Sequence, residues 1–240
     1  MSAVAAALPA SHSGAPKILR IALLNPNTSA AATELMLTSA RRALPADARI
    51  AGHTAPAGQP FITTPAALEA AAHQMLPFAL AVAQDGCDAL IVSGFGDPGL
   101  QAIGQRVSIP VTGLAEASIA EAALGGRRFS IVTVTPELHD SLMQAAQTHG
   151  QAGQLASIRF TSGAVDDALD TPEKLEEALY QACQQALVQD GAEVIVIGGG
   201  PLAHAAAAIS RRLGVPVIDP VAAAVRLACR RCKDSASVAP

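Results

Sequence analysis

The residues in this 240-residue chain best suited to covalent or acid–base chemistry are Cys87, Cys183, Cys229, Cys232 and a few of its six histidines. Cys229 and Cys232 have C-x-x-C spacing, but no second Cys or His pair accompanies them, and Arg230, Arg231 and Lys233 would repel a cation. No metal site is expected. No Ser-His-Asp set can be assembled from spacing, and Ser93 has no identifiable partner base, without which a hydroxyl is a poor nucleophile. The stronger signal is a pair of glycine-rich turns, each following an apolar run: "ALIVSGFGDPGL" at 89–100 and "EVIVIGGGPLA" at 193–203. Backbone N–H groups after these turns, at Phe95, Gly96 and Gly200, are expected to point into a cleft. Donors so placed at helix N-termini favour negative charge and can stabilise an enolate. His204, five residues beyond Gly199, is the candidate proton carrier; an exposed helix face is the plainer reading of it. Asp97 reads as a structural residue and His139 as a surface one.

The elements that would position these groups alternate. Strand-like runs at 18–25, 49–55, 88–94, 109–114, 128–135 and 193–199 are separated by helix-like stretches such as 30–44, 65–86 and 171–191. Thr171 is a plausible N-cap, with acidic residues following it. Continuous Val/Ile runs between amphipathic helices predict parallel sheets covered on both faces.

A repeat organises the chain further. "DGCDALIVSGFGDPGL" (85–100) aligns with "DGAEVIVIGGGPL" (190–202), placing Gly94 on Gly199, and "SIPVTGLAEASIAEA" answers "GVPVIDPVAAAVRLA" downstream. Two copies of one α/β unit imply pseudo-symmetric lobes whose glycine turns face one cleft, since ligands of open α/β sheets bind at strand carboxyl ends. The expected division is a disordered tail at 1–16, one lobe from 17–112 with 218–240, and a second from 113–217.

Composition narrows the function. The net charge is −4, with 16 Lys and Arg against 20 Asp and Glu, and there is no Trp and a single Tyr, Tyr180. A nucleic-acid partner is therefore not expected. No run of ~18 apolar residues predicts a membrane span, and the start lacks a basic n-region. With no disulfide framework either, the sequence predicts a cytoplasmic protein without a membrane partner. A P-loop is absent, and "GFGDPG" lacks the context that dinucleotide binding needs, so no cofactor is implied.

"LNPNTS" (24–29), "FGDPGL" (95–100), "GLAEA" (113–117), "FSIVT" (129–133) and "GVPVIDPVAAAV" (214–225) resemble the hydantoin and allantoin racemases. These belong to the wider Asp/Glu racemase superfamily, with maleate isomerase and arylmalonate decarboxylase. The resemblance implies a two-lobed fold, homo-oligomerisation and a small-molecule ligand, a carboxylate or cyclic imide. It also implies a cysteine at each glycine turn, one thiol removing the substrate's α-proton and the other returning one. A thiol of pKa ~8.5 can be tuned to that task. Here those positions are Gly94 and Gly199, and neither carries a side chain. Cys87 lies roughly 20 Å of strand away from its turn.

Further residues are implied as ligand contacts: Asn25, Asn27, Thr28 and Ser29 of the first loop, Thr133 and Thr135 at the end of "FSIVTVT", and the amides named above. Asn25 to Ser29 are equally a good turn and helix cap. "FITTPAALEA" (61–70) replaces a Glu-Gly-aromatic segment usual in the hydantoin racemases, so Thr63 and Thr64 change the substrate-facing chemistry. The expected function is a cofactor-independent racemase or isomerase with a non-cysteine proton carrier. A lyase such as a decarboxylase, and a lapsed small-anion binding protein, are the alternatives.

Overall fold

The computed structural model describes residues 18–162 and 171–238; the expected tail at 1–16 lies outside the described residues. Strands β1 (Leu19–Asn25), β2 (Ala48–Thr54), β3 (Ala89–Val92) and β4 (Val111–Gly113) form one parallel sheet in the order β2-β1-β3-β4. Strands β5 (Phe129–Thr133), β6 (Leu155–Phe160), β7 (Val194–Ile197) and β8 (Val217–Ile218) form a second in the order β6-β5-β7-β8, also parallel. The two orders are the same, so the repeat legible from residue 85 onward extends through the first strands of each half.

Among the described residues the α-helices are α1 (Ala30–Ala43), α2 (Pro65–Gln84), α3 (Leu100–Gly104), α4 (Leu114–Ala122), α5 (His139–Thr148), α6 (Pro172–Asp190), α7 (Ala206–Leu213) and α8 (Pro220–Val238). Ser29, Thr64 and Thr171 cap α1, α2 and α6, each side chain accepting from a backbone N–H three residues on at 3.2 Å. Proline follows directly at positions 65 and 172, where its missing N–H costs nothing.

Strand alternation decides where the core sits. Ile21, Leu23, Ala89 and Ile91 of the first sheet share one apolar core with Phe129, Ile131, Val194 and Val196 of the second, filled in by α1, α4, α5 and α8. Their neighbours point the other way. Ala22, Leu24, Leu90 and Val92 pack under α2, and Ile195 and Ile197 under α6 and α7. This is the period of two expected of strands buried on both faces. By length and composition α2 could cross a membrane; here Ala71, Met75, Ala79 and Val82 pack it onto the first sheet.

Close packing leaves no room for a side chain at two glycines, one facing the opposite half and one within the first half. A Cβ on Gly200 would run into Met36 Sδ of α1, and one on Gly113 into the carboxylate of Asp97. That carboxylate is buried and holds the amides of Ala115 and Glu116 at 2.9 and 2.7 Å, so it cannot move aside without losing them. Gly113→Ala is expected to destabilise the protein by about 3 kcal/mol, through overpacking and lost charge-assisted hydrogen bonds. Urea unfolding followed by far-ultraviolet circular dichroism measures it.

Candidate active site

The carboxyl ends of β1, β3, β5 and β7 surround one cavity of about 220 Å³. That is below the range of drug-sized sites, ~300–1,000 Å³, and suits a single small ring. Pro26, Asn27, Ser93, Gly94 and Phe95 line it from the first half; Thr133, Thr135, Gly198, Gly199 and Gly200 line it from the second. Both glycine turns therefore face the same space.

Of the first-loop residues, the structure brings Asn27 into the cavity lining and leaves Asn25, Thr28 and Ser29 outside it. Asn25 is fully buried and spends its amide on the loop: Nδ2 donates to Asn27 Oδ1 (2.9 Å), the Ser29 carbonyl (3.0 Å) and Thr33 Oγ1 (3.0 Å). Ser29 caps α1, and the Thr28 amide donates to the Gln59 carbonyl at 3.1 Å. Asn27 Oδ1 accepts from Asn25 Nδ2 and, at 2.9 Å, from the Ser29 amide. Both bonds fix which end of the Asn27 amide is the acceptor. Its Nδ2 has no partner among the described residues and remains a donor for a ligand.

The N–H groups of Phe95, Gly96 and Gly200 likewise have no acceptor among the described residues. Phe95 and Gly200 line the cavity; Gly96, at φ +106° beside Leu68, does not. Two of the four lining hydroxyls are committed, and Thr63 has no partner among the described residues. Thr133 donates to the Gly198 carbonyl at 2.6 Å and Ser93 to the Leu24 carbonyl at 2.8 Å, while Thr135 has only a 3.5 Å contact with Thr133.

No titratable side chain is among the lining residues described. His204 lies outside the lining, in a short 3₁₀ turn, with Nδ1 at 2.8 Å from the Pro201 carbonyl three residues back. The structure thus does not bring the expected proton carrier to the cavity. Cys183 is on the buried face of α6, on the outer side of the second sheet, and burial pushes its thiol up to about 12. Asp97 turns its carboxylate toward α4, as a structural residue would.

Sequence reasoning missed the apolar side of the site. Phe61, Ile62 and Leu68 flank it from the segment entering α2, and Leu138, Leu142 and Leu202 from the second half. Phe61 is 57% exposed, although it is large and apolar. An apolar "FI" pair in a loop was the available signal.

The two glycines differ in what a side chain would meet. A Cβ on Gly199 would lie 2.9 Å from Leu202 Cδ1, the mobile end of a side chain; one on Gly94 would lie 2.7 Å from Pro26 Cγ and 3.0 Å from the ring of Pro98. Two proline rings yield less readily than one leucyl terminus. Gly94→Cys is expected to cost about 1–3 kcal/mol and Gly199→Cys less than 1 kcal/mol, read from urea midpoints. In the native protein, Cys183 should stay unlabelled by a thiol reagent at pH 8 and react only after denaturation, because the reactive thiolate is scarce there.

Comparison with known proteins agrees with the fold. The family model for Asp/Glu/hydantoin racemase matches residues 21–228. A hydantoin racemase of Paenarthrobacter aurescens is 35% identical over 212 residues, covering 88% of this chain and 89% of that protein. One from Pseudomonas sp. (strain NS671) is 32% identical over 216 residues, covering 88% and 84%. The solved allantoin racemase from Klebsiella pneumoniae superposes with a TM-score of 0.86 at 33% identity, covering 90% of this chain and 89% of that one. An arylmalonate decarboxylase structure at 17% identity shares the fold, with a TM-score of 0.63. This chain, with glycine at both turns, belongs to the Asp/Glu/hydantoin racemase family.

Proposed function

We propose that the chain is a cofactor-independent enzyme of racemase or isomerase type, acting on a small cyclic imide or carboxylate through an enolate. The observation that carries this reading is the set of donors without a partner among the described residues around one cavity: the Phe95 and Gly200 amides from opposite halves, with Asn27 Nδ2. In the proposed step the α-proton of the substrate passes to water, and its electron pair moves into the adjacent carbonyl. The resulting oxyanion is held by these N–H groups. Return of a proton from water to either face of the enolate gives racemisation. The hydantoin and allantoin racemases among its relatives support a cyclic imide as the first substrate to try.

Magnitudes set the expected pace. Each well-aimed oxyanion donor is worth about 10²–10³ in rate. A positioned side-chain base adds ~10²–10⁴, and the described lining has none. The reaction should therefore run slower than two-thiol catalysis by about that second factor.

The lining without titratable groups favours a second reading, a protein that binds such a ligand without turning it over. Proton NMR in D₂O with 5-benzylhydantoin, allantoin and phenylmalonate separates the two, alongside calorimetry of the same compounds. Loss of the α-proton signal above the protein-free rate supports the enzyme. Binding with no exchange supports the second reading, and neither binding nor exchange removes both. Asn27→Asp keeps the acceptor that orders the loop but replaces the free N–H by a carboxylate oxygen, so affinity should fall at least about tenfold. Calorimetry of the variant measures it.

A further inference from the structure

Two carboxylates occupy equivalent places in the two halves, at the starts of α4 and α8. At α4 the group comes from Asp97 of the first glycine turn, seated against Gly113 and accepting from the Ala115 and Glu116 amides. At α8 it is Asp219 itself, which accepts from the Ala222 amide at 2.9 Å. Each then takes one more hydrogen bond from the first helix segment of the opposite half. His149, at the end of α5, places Nε2 at 3.0 Å from Asp97 Oδ2. Ser39 of α1 donates Oγ to Asp219. The halves are thus joined at two related points.

The points are not equal in what they control. Asp97 is the sole non-glycine residue with positive φ among the described residues, at +54°. An L-residue keeps that conformation only where its surroundings hold it there. Its backbone closes the first glycine turn: the Asp97 amide donates to the Gly94 carbonyl at 3.0 Å, and its carbonyl accepts from Leu100 at 3.1 Å. The side chains of Asp97 and His149 are 4% and 15% exposed, so water competes little for the bond. Glu116 and Arg231, which line a groove beside His149, are bonded to each other at 2.6 Å.

We propose that His149 is a positioning residue: from one half it holds the first glycine turn of the other, acting through Asp97. Its task is to donate an N–H, so a neutral amide of similar reach can replace it and an isosteric ring without a donor cannot. Ser39 has the related task at Asp219, but that bond carries no strained turn residue and does not set Gly94.

Hydrogen exchange of the ligand-free protein, resolved to individual amides, tests this without reference to what the cavity binds. In His149→Phe the Asp97, Leu100, Ala115 and Glu116 amides should exchange roughly ten- to hundredfold faster, the range for a lost bond to a charged group. The amides of Gly198, Gly199 and Leu202 should keep their rates. His149→Gln should hold all of these within about threefold of the unaltered protein. Ser39→Ala should quicken Ala222 and leave Asp97 alone. The proposal is overturned if the Phe variant leaves the first turn unchanged, if it quickens both turns alike, or if Gln behaves as Phe does. Should the Phe variant not fold, His149→Asn, one methylene too short to reach, takes its place against His149→Gln with the same outcomes.

Discussion

Alternate residues of β1, β3, β5 and β7 bury their side chains in one core shared by two sheets, and everything at the site follows from that sharing. Two separate lobes could each satisfy their own apolar faces and sit at any angle. Here Ile21, Leu23, Ile131 and Val196 belong to a single packed cluster with α1, α4, α5 and α8 between them. Close packing does not tolerate displacement by even a methylene, so the strand ends, and the glycine turns on them, are held at one separation. The inter-half hydrogen bonds at Asp97 and Asp219 add direction to what the core fixes in distance.

The cavity shows a particular division of polar groups. Those that shape the loops are spent on each other: Asn25, Ser29, Ser93 and Thr133 all have backbone or side-chain partners. Those left over are the N–H donors of Phe95, Gly200 and Asn27 and the hydroxyls of Thr63 and Thr135. A set of donors with no cation and no base suits charge that develops during a reaction better than a permanent charge, since a fixed carboxylate buried without a counter-ion costs several kcal/mol. Asp97 illustrates the same balance elsewhere. Three N–H partners, at about 1.5–3 kcal/mol each, lower its carboxyl, yet burial outweighs them and holds it above the usual range.

Pseudo-symmetry is kept in the backbone and relaxed in the side chains. Strand order, glycine turns and helix-start carboxylates recur in both halves. Around them, proline rings crowd Gly94 where a leucine crowds Gly199, and histidine clasps one carboxylate where serine clasps the other. A ligand between the turns therefore meets two different walls.

Local chemistry was enough to read the alternating parallel strands, the caps at Ser29 and Thr171, and the repeat with its two matched glycine turns, because hydrophobic period and turn residues act over a few neighbours. The strand predicted at 128–135 ends at Thr133, so Thr135 faces the cavity from the turn beyond. Which members of "NPNTS" meet a ligand was not legible: all four polar side chains look alike in sequence, and only the folded loop shows that Asn25 and Ser29 serve neighbours while Asn27 keeps a free donor. Nor could spacing show that His204 binds the Pro201 carbonyl, or that Phe61 and Leu142, 81 positions apart, flank one cavity. The sequence determined which elements form and which turns lack side chains. The tertiary structure decided which groups meet, because those contacts join residues far apart in the chain, and only the shared core brings them together.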